Sequence, residues 1–266
     1  MDYFVWNTDP VLLSIGPVNI HWYGVFFAAA FIVGFSIMRR IFANEGKPEK
    51  DLDPLCCYMA AGTIIGARLG HVLFYDPAYY LSHPLQIFAI WNGGLASHGG
   101  AIGIALALLI FSRRHPQMPY VWLLDRISIP AILGGVFIRI GNFFNSEIVG
   151  LPANLPWSVI FSRIDSLPRH PTQLYEAFVY LIVFLLLYST YQRRSRSLPN
   201  GVLSGLFLIL VFTARFFLEF TKMPQASYEY AMPISVGQWL SIPAIIIGGL
   251  ILWCGLKRQG QAMELK

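Results

Sequence analysis

Arg139, Arg215 and His98 lie in or at the ends of stretches built otherwise from apolar residues, and these are the residues whose types could do chemistry. A guanidinium stays charged when desolvated and presents a planar fork that matches phosphate. An imidazole changes charge near neutral pH and can take a proton from a nucleophile. A charge at membrane depth costs roughly 2.5–3.5 kcal/mol on insertion scales, so such groups usually face a partner or a cavity. The excess of Arg over Lys at this depth implies an anion site, and the anion found at that depth is a phospholipid headgroup. Arg68 is a related case, but it sits in Gly62-Thr63-Ile64-Ile65-Gly66-Ala67-Arg68-Leu69-Gly70, where the glycine spacing argues mainly for close helix packing. A structural ion contact or a headgroup contact is expected there.

The elements that must position these residues follow from composition. Of 266 residues, 56% are hydrophobic and only 12% charged, against roughly a quarter charged in a soluble domain. So few charges cannot cover an ordinary soluble surface, and the low-charge surface must meet lipid. Stretches of about 20 apolar residues occur at 20–38, 55–75, 95–111, 120–141, 174–190, 201–221 and 236–256. The expectation is an all-α integral membrane protein, a single polytopic domain over 1–266 with seven transmembrane helices and a small outward-facing, periplasmic cap at 142–173. The cap segment holds Pro152, Pro156, Pro168 and Pro171, which argue against a continuous helix. Segment 84–94, with Pro84, Ile87, Phe88, Ile90, Trp91 and Asn92-Gly93-Gly94, is too short and broken to span and is expected to lie at the interface or re-enter.

Orientation comes from the basic residues. Arg39, Arg40, Lys47, Lys50, Arg113, Arg114, Arg193, Arg194, Arg196, Lys257, Arg258 and Lys266 follow alternate spans and make 12 of the 19 Lys and Arg. The other connections carry Arg163, Arg169 and Lys222. The positive-inside rule then places the N-terminus outside and the C-terminus in the cytoplasm. The net charge of +5 forms no single basic face, so nucleic acid is not expected as a partner. The first ten residues hold Asp2 and Asp9 and no basic residue, unlike a cleaved signal peptide. Cys56, Cys57 and Cys254 are odd in number and are expected to be packed thiols, not a disulfide framework.

With this orientation the polar groups of six spans fall in one outer layer. They are His21 and Tyr23, Arg68 and His71, His98, Arg139 and Asn142, Gln173, Tyr175 and Glu176, and Arg215 and Glu219. Asp125 and Arg126 are the exceptions, at the cytoplasmic end of the fourth span. The plainer alternative is that Arg215 and Glu219 neutralise each other at i and i+4 while the rest snorkel to the interface.

Three motifs carry most of the specificity. Gly93-Gly94-Leu95-Ala96-Ser97-His98-Gly99-Gly100 strips side chains from around a histidine, although Gly99 and Gly103 also form a small-xxx-small pair. Arg139-Ile140-Gly141-Asn142-Phe143-Phe144-Asn145-Ser146-Glu147-Ile148-Val149-Gly150 sets an arginine, amides and a carboxylate where the fourth span leaves the membrane. His170-Pro171-Thr172-Gln173-Leu174-Tyr175-Glu176 opens the fifth span, with Pro171 near the first helical position.

Together with His21-Trp22-Tyr23-Gly24 and Arg215-Phe216-Phe217-Leu218-Glu219-Phe220, these motifs closely resemble the prolipoprotein diacylglyceryl transferase family over nearly the whole chain. The Arg139 to Gly150 block is the strongest match. The resemblance implies an enzyme of the bacterial cytoplasmic (inner) membrane that moves a diacylglyceryl group from phosphatidylglycerol to the lipobox cysteine of a prolipoprotein. A thioether forms, sn-glycerol 1-phosphate leaves, and no metal or organic cofactor is implied. By position the family's important histidine falls on His98, its two arginines on Arg139 and Arg215, and its first-span tyrosine on Tyr23. Asn142, Glu147, Gly150 and Glu219 match as substrate-binding positions. Two departures are Val211, where many members carry a tyrosine, and Ser97, where an aromatic is common.

In this reading His98 takes the thiol proton or donates to the phosphate. Arg139 is the main phosphate ligand, Arg215 assists departure of the leaving group and Glu219 orients Arg215. Asn142 and Tyr23 hold headgroup hydroxyls. A phospholipid transporter or flippase is the rival, but it predicts polar residues at the midplane and paired repeats, neither of which the sequence shows. A retinal protein fails because no lysine lies deep in a span.

Overall fold

The computed structural model describes residues 2–90, 93–194, 198–224 and 233–264. Arg196, Lys266, Trp91 and Asn92, which entered the readings above, lie outside the described residues. The elements in chain order are β1 (Phe4–Trp6), β2 (Val11–Ile15), β3 (Val18–His21), α1 (Trp22–Glu45), α2 (Leu52–Phe74), α3 (Pro77–Ser82), α4 (Ser97–Arg114), α5 (Tyr120–Phe144), β4 (Val159–Phe161), β5 (Pro168–Arg169), α6 (Thr172–Arg194), α7 (Val202–Leu218) and α8 (Val236–Glu264). Among the described residues six helices are long and apolar enough to cross a bilayer: α1, α2, α5, α6, α7 and α8. The third expected span, α4, has 18 residues, about 27 Å of helix. It opens on Ser97 and His98 and closes on Arg113 and Arg114, so it is not among the six.

Large apolar side chains stand exposed on the long helices, among them Phe178 at 65%, Leu185 at 55% and Trp253 at 59%. Faces of this kind would be insoluble in water and are at home in hydrocarbon. The cysteines are free, as expected, but Cys57 and Cys254 are exposed where packing was expected. A thiol behaves as a small hydrophobe, so an apolar surroundings suits it on either side of the helix.

By packing the chain divides into two compact units. One is Met1–Met38 with Asp125–Lys266, and the other is Arg39–Leu124.

In the first unit β1 pairs in parallel with β4, and β4 pairs antiparallel with β5, giving the order β1-β4-β5. The cap segment is therefore ordered and non-helical, as its prolines require. Its small core of Phe143, Val149, Val159 and Phe161 packs with Trp6, Phe144 and Met223. A separate hairpin joins β2 to β3 through Gly16-Pro17, with Gly16 at φ +58°, a conformation open to glycine. An all-α chain was expected, and these strands are the difference. They are short, and the apolar run that contains β2 and β3 merges into the first span, so periodicity alone does not separate them. The transmembrane part of this unit packs through small residues: Cβ atoms added at Gly205 and Gly248 would each meet the facing helix at 2.8 Å, which brings α7 and α8 into backbone contact.

The second unit is dominated by α2 against α4. Gly62, Gly66 and Gly70 interleave with Gly99, Gly103 and Ala107, and a Cβ on Gly66 would lie 2.8 Å from the Gly103 Cα. The glycine spacing read from both sequences is used for this contact. Segment 84–94 does not span: it holds a 3-10 turn, Pro84–Phe88, after α3. Leu81, Leu85 and Phe88 are 84%, 83% and 73% exposed, which suits an interfacial position.

Candidate functional site

The turn after α5 is where the first unit builds its polar site. Ser146 N–H donates to the Phe143 carbonyl at 3.1 Å and Glu147 N–H to the Asn142 carbonyl at 2.9 Å. This is a Schellman closure with Ser146 as the left-handed residue, at φ 55°. Ile148, β-branched, is also at φ 55°. Two such residues without glycine are strained, and strain of this kind persists only where surroundings over-determine it. Here α6 supplies the restraint. Thr172 Oγ1 donates to the Ile148 carbonyl at 2.9 Å, and Gln173 Nε2 to the Glu147 carbonyl at 2.6 Å. The polar opening of the fifth span thus serves to hold the strained turn.

Arg139 leads into this turn from the last part of α5 and is buried. Its Nε lies 2.9 Å from Glu176 Oε2, and its Nη1 donates to Asn142 Oδ1 at 3.1 Å. Asn142 Nδ2 donates in turn to Glu147 Oε2 at 3.1 Å, while Asn145 Nδ2 reaches Glu147 Oε1 at 3.2 Å. Glu147 itself is exposed. The ring of Tyr23 packs on Gly141, where a Cβ would stand 3.0 Å from a ring carbon. The Tyr23 hydroxyl feels the charges of Glu147 and Arg139.

Glu176, fully buried on α6, is the hub, and sequence reasoning did not assign it a role. Beyond its ion pair with Arg139, it accepts from Lys222 Nζ at 3.0 Å and from the Tyr180 hydroxyl at 3.3 Å, both at Oε1. Arg215 acts electrostatically on both Glu176 and Tyr180. Arg139 thus touches Glu176 directly, whereas Arg215 reaches that carboxylate only through its charge.

The pairing of Arg215 with Glu219 suggested by their i,i+4 spacing does not form. Helix α7 ends at Leu218 and tightens into a 3-10 turn over Glu219–Thr221. Glu219 Oε2 is instead 3.0 Å from Lys222 Nζ. Among the described residues no carboxylate lies within ion-pair distance of Arg215, which is half-buried. Lys222 had been counted only as an outward basic residue, and the signal that could have found it is its place three residues after Glu219.

Gly150 has a structural explanation. Its N–H donates to the His170 carbonyl at 3.1 Å, it bridges antiparallel to Lys222, and a Cβ there would meet the His170 carbonyl oxygen at 2.5 Å. Only a glycine lets these three chain segments meet.

His98 belongs to the second unit, as the second residue of α4. Its ring meets Phe74 edge-on at 5.6 Å and stacks on Tyr75 at 5.9 Å, and Tyr75 stacks in turn on His71 at 5.3 Å. Arg68 is fully engaged with backbone. Nε donates to the Ile87 carbonyl at 2.8 Å, Nη1 to Gly93 and Gly94 at 2.6 and 3.1 Å, and Nη2 to Gln86 at 2.5 Å. Its guanidinium also lies over the Tyr80 ring at 5.0 Å. The contacts that Arg68 makes are with carbonyls and a ring, where a structural ion contact or a headgroup contact was expected. Among the described residues no group of three or more His, Cys, Asp or Glu side chains has the arrangement to hold a metal.

Chemically, the first unit's cluster sets three cations, Arg139, Arg215 and Lys222, against buried Glu176 and half-buried Glu219. Such an arrangement can receive an anion. The family model for prolipoprotein diacylglyceryl transferase matches residues 10–254. The phosphatidylglycerol–prolipoprotein diacylglyceryl transferase of Tolumonas auensis is 51% identical over 96% of this chain and 99% of its own length. The proteins of the same name from Chloroherpeton thalassium and Porphyromonas gingivalis are 51% and 42% identical, over 96% and 92% of this chain and the same shares of their own lengths.

Proposed function

Since the chain belongs to the prolipoprotein diacylglyceryl transferase family, we propose that it moves the sn-1,2-diacylglyceryl group of phosphatidylglycerol to a prolipoprotein thiol. This is the first step of bacterial lipoprotein maturation. The thiol is the lipobox cysteine of the signal peptide. The protein works in the bacterial inner membrane with its N-terminus outward and its C-terminus cytoplasmic. In this reading α4 also spans, as the third of seven, and the segment between α5 and α6 is the periplasmic cap. The observation that carries the reading is Arg215, which has no carboxylate in ion-pair distance among the described residues while its charge acts on Glu176, the partner of Arg139.

The reaction needs a thiolate and a stabilised leaving group. A cysteine thiol is mostly protonated at neutral pH, so His98 as base raises the nucleophile's population. The sulfur attacks the glyceryl carbon that carries the phosphate. A C–S bond forms, the C–O bond breaks, and the electron pair leaves with sn-glycerol 1-phosphate. Negative charge grows on that phosphate, and Arg139 and Arg215 supply the opposing charge. Tyr23, Asn142 and Glu147 meet the headgroup hydroxyls. Asn142 and Glu147 are already tied into one hydrogen-bonded row from Arg139, which supports their acting as a unit.

The test is to incubate purified protein with phosphatidylglycerol and a lipobox peptide, with the Cys→Ser peptide as control. Thioether product and free glycerol phosphate are expected only with the cysteine. Hydrolysis of the lipid without thioether would overturn the reading. For the base, the pH–rate profile of His98→Gln should lose the acidic limb of wild type. An unchanged limb with persisting activity would remove His98 from that role.

A further inference from the structure

Lys222 is a buried ammonium that the reaction as described does not use. It follows the 3-10 turn at the end of α7 and is fixed by its backbone, which bridges to Gly150. Its Nζ lies 3.0 Å from Glu176 Oε1 and 3.0 Å from Glu219 Oε2. Glu219 is held on its other side by the start of α8, since a Cβ on Gly237 would stand 2.5 and 2.8 Å from its carboxylate oxygens. Glu219 also lies at the i+4 position from Arg215, the spacing at which a helix pairs a carboxylate with a guanidinium.

The charges decide what Lys222 does. With it, Arg139, Arg215 and Lys222 face Glu176 and Glu219, and one positive charge is left over among these inner groups, Glu147 being exposed and joined to Arg139 only through Asn142. Without it, two arginines face two carboxylates, the cluster is neutral, and Glu219 has no cation other than Arg215 within its reach on α7. We propose that Lys222 is a positioning residue of the transfer reaction: by holding Glu219 and sharing Glu176, it keeps the Arg215 guanidinium un-neutralised for the lipid phosphate. This rests on the reading of Arg139 and Arg215 as phosphate ligands. A purely structural role, neutralising buried Glu176, makes different predictions.

The full-length protein is assayed in phosphatidylglycerol micelles with a lipobox peptide, reading kcat and KM for the lipid together with the thermal midpoint. Lys222→Met is expected to lower kcat at least tenfold, and Lys222→Arg to keep most of it. The deciding variant is Lys222→Met/Glu219→Gln, which removes the carboxylate that would capture Arg215. It is expected to recover several-fold over Lys222→Met. A structural role predicts the opposite, a double variant no better than the single with activity tracking the midpoint, and that result overturns the proposal. If Lys222→Met does not accumulate folded, Lys222→Gln keeps a hydrogen-bonding side chain without the charge and carries the same expectation; wild-type kcat and KM in it overturn the proposal too. Arg139→Ala and Arg215→Ala run alongside separate the two levels. If they retain activity the phosphate reading fails, whereas if they are inactive while Lys222 variants are unaffected, only the positioning role fails.

Discussion

Arg68 and Arg215 both lie inside apolar helices, one in each unit, and their partners could hardly differ more. Arg68 is buried and spends its guanidinium on four backbone carbonyls of the segment between α3 and α4. Among the described residues Arg215 has no carboxylate in ion-pair distance, and its charge acts on Glu176 and Tyr180. Residue type and membrane depth therefore do not separate a structural arginine from one available to a substrate. What separates them is whether the donors are already used. Arg139 is intermediate, bound to Glu176 and Asn142 but in a cluster with charge to spare.

The sharpest way to break this contrast is to remove Arg139. Arg139→Ala should lower the transfer rate by about 10²–10³-fold, the usual cost of losing one preorganised donor to a developing anion, measured on purified protein with a lipobox peptide. It should also lose thermal stability, because Glu176 would keep a buried oxygen without its arginine. In the second unit the α2–α4 contact admits no added side chain. Gly66→Val should cost about 1–3 kcal/mol from overpacking, read as a lowered thermal midpoint in detergent.

Smaller effects sharpen the account of the strained turn. Ser146→Gly should stabilise the protein by about 1 kcal/mol, since glycine meets no penalty at φ 55°. The Ser146 hydroxyl has no hydrogen-bond partner among the described residues, so little is lost with it. An equal or lower midpoint would mean that the turn is not strained as described. The smallest effect expected is in the cap, where Arg169 hydrogen-bonds Asp165 and holds its carboxyl below the usual carboxylate range. Because the folded value is depressed, the pair stabilises above the ordinary carboxylate range and is lost as pH falls through the folded value. The midpoint difference between wild type and Asp165→Asn should therefore vanish in acid.

Six of the seven expected spans correspond to helices long and apolar enough to cross, because hydrocarbon imposes a length and a composition that few other environments do. Close packing of α2 and of α4 was legible from their glycine spacing, but that the two pack on each other was not, since spacing names no partner. Helix ends were less legible: α1 runs on to Glu45 past its apolar stretch, since the polar residues Arg39 and Arg40 are themselves good helix formers. In the site, Arg139 and Arg215 stood out because charge is costly at depth. Glu176 did not, because it becomes informative only beside a partner 46 residues away in the chain, and Lys222 offered only its place three residues after Glu219. The Arg215–Glu219 pairing is absent although the Glu219 N–H still closes a regular α-turn on the Arg215 carbonyl; Glu219 pairs with Lys222 instead, a competitor that spacing rules for a lone helix do not contain.

The central claim is that Arg215 is held ready for the lipid phosphate while Arg68 is held by the fold. It is tested most directly by measuring single-turnover diacylglyceryl transfer and thermal midpoint on the same samples of Arg215→Ala and Arg68→Ala. The account predicts that Arg215→Ala keeps its midpoint and loses about a hundredfold or more in rate. Arg68→Ala should lose about 3 kcal/mol of stability through its orphaned carbonyls yet turn over normally per folded molecule. A near-normal rate in Arg215→Ala would contradict it.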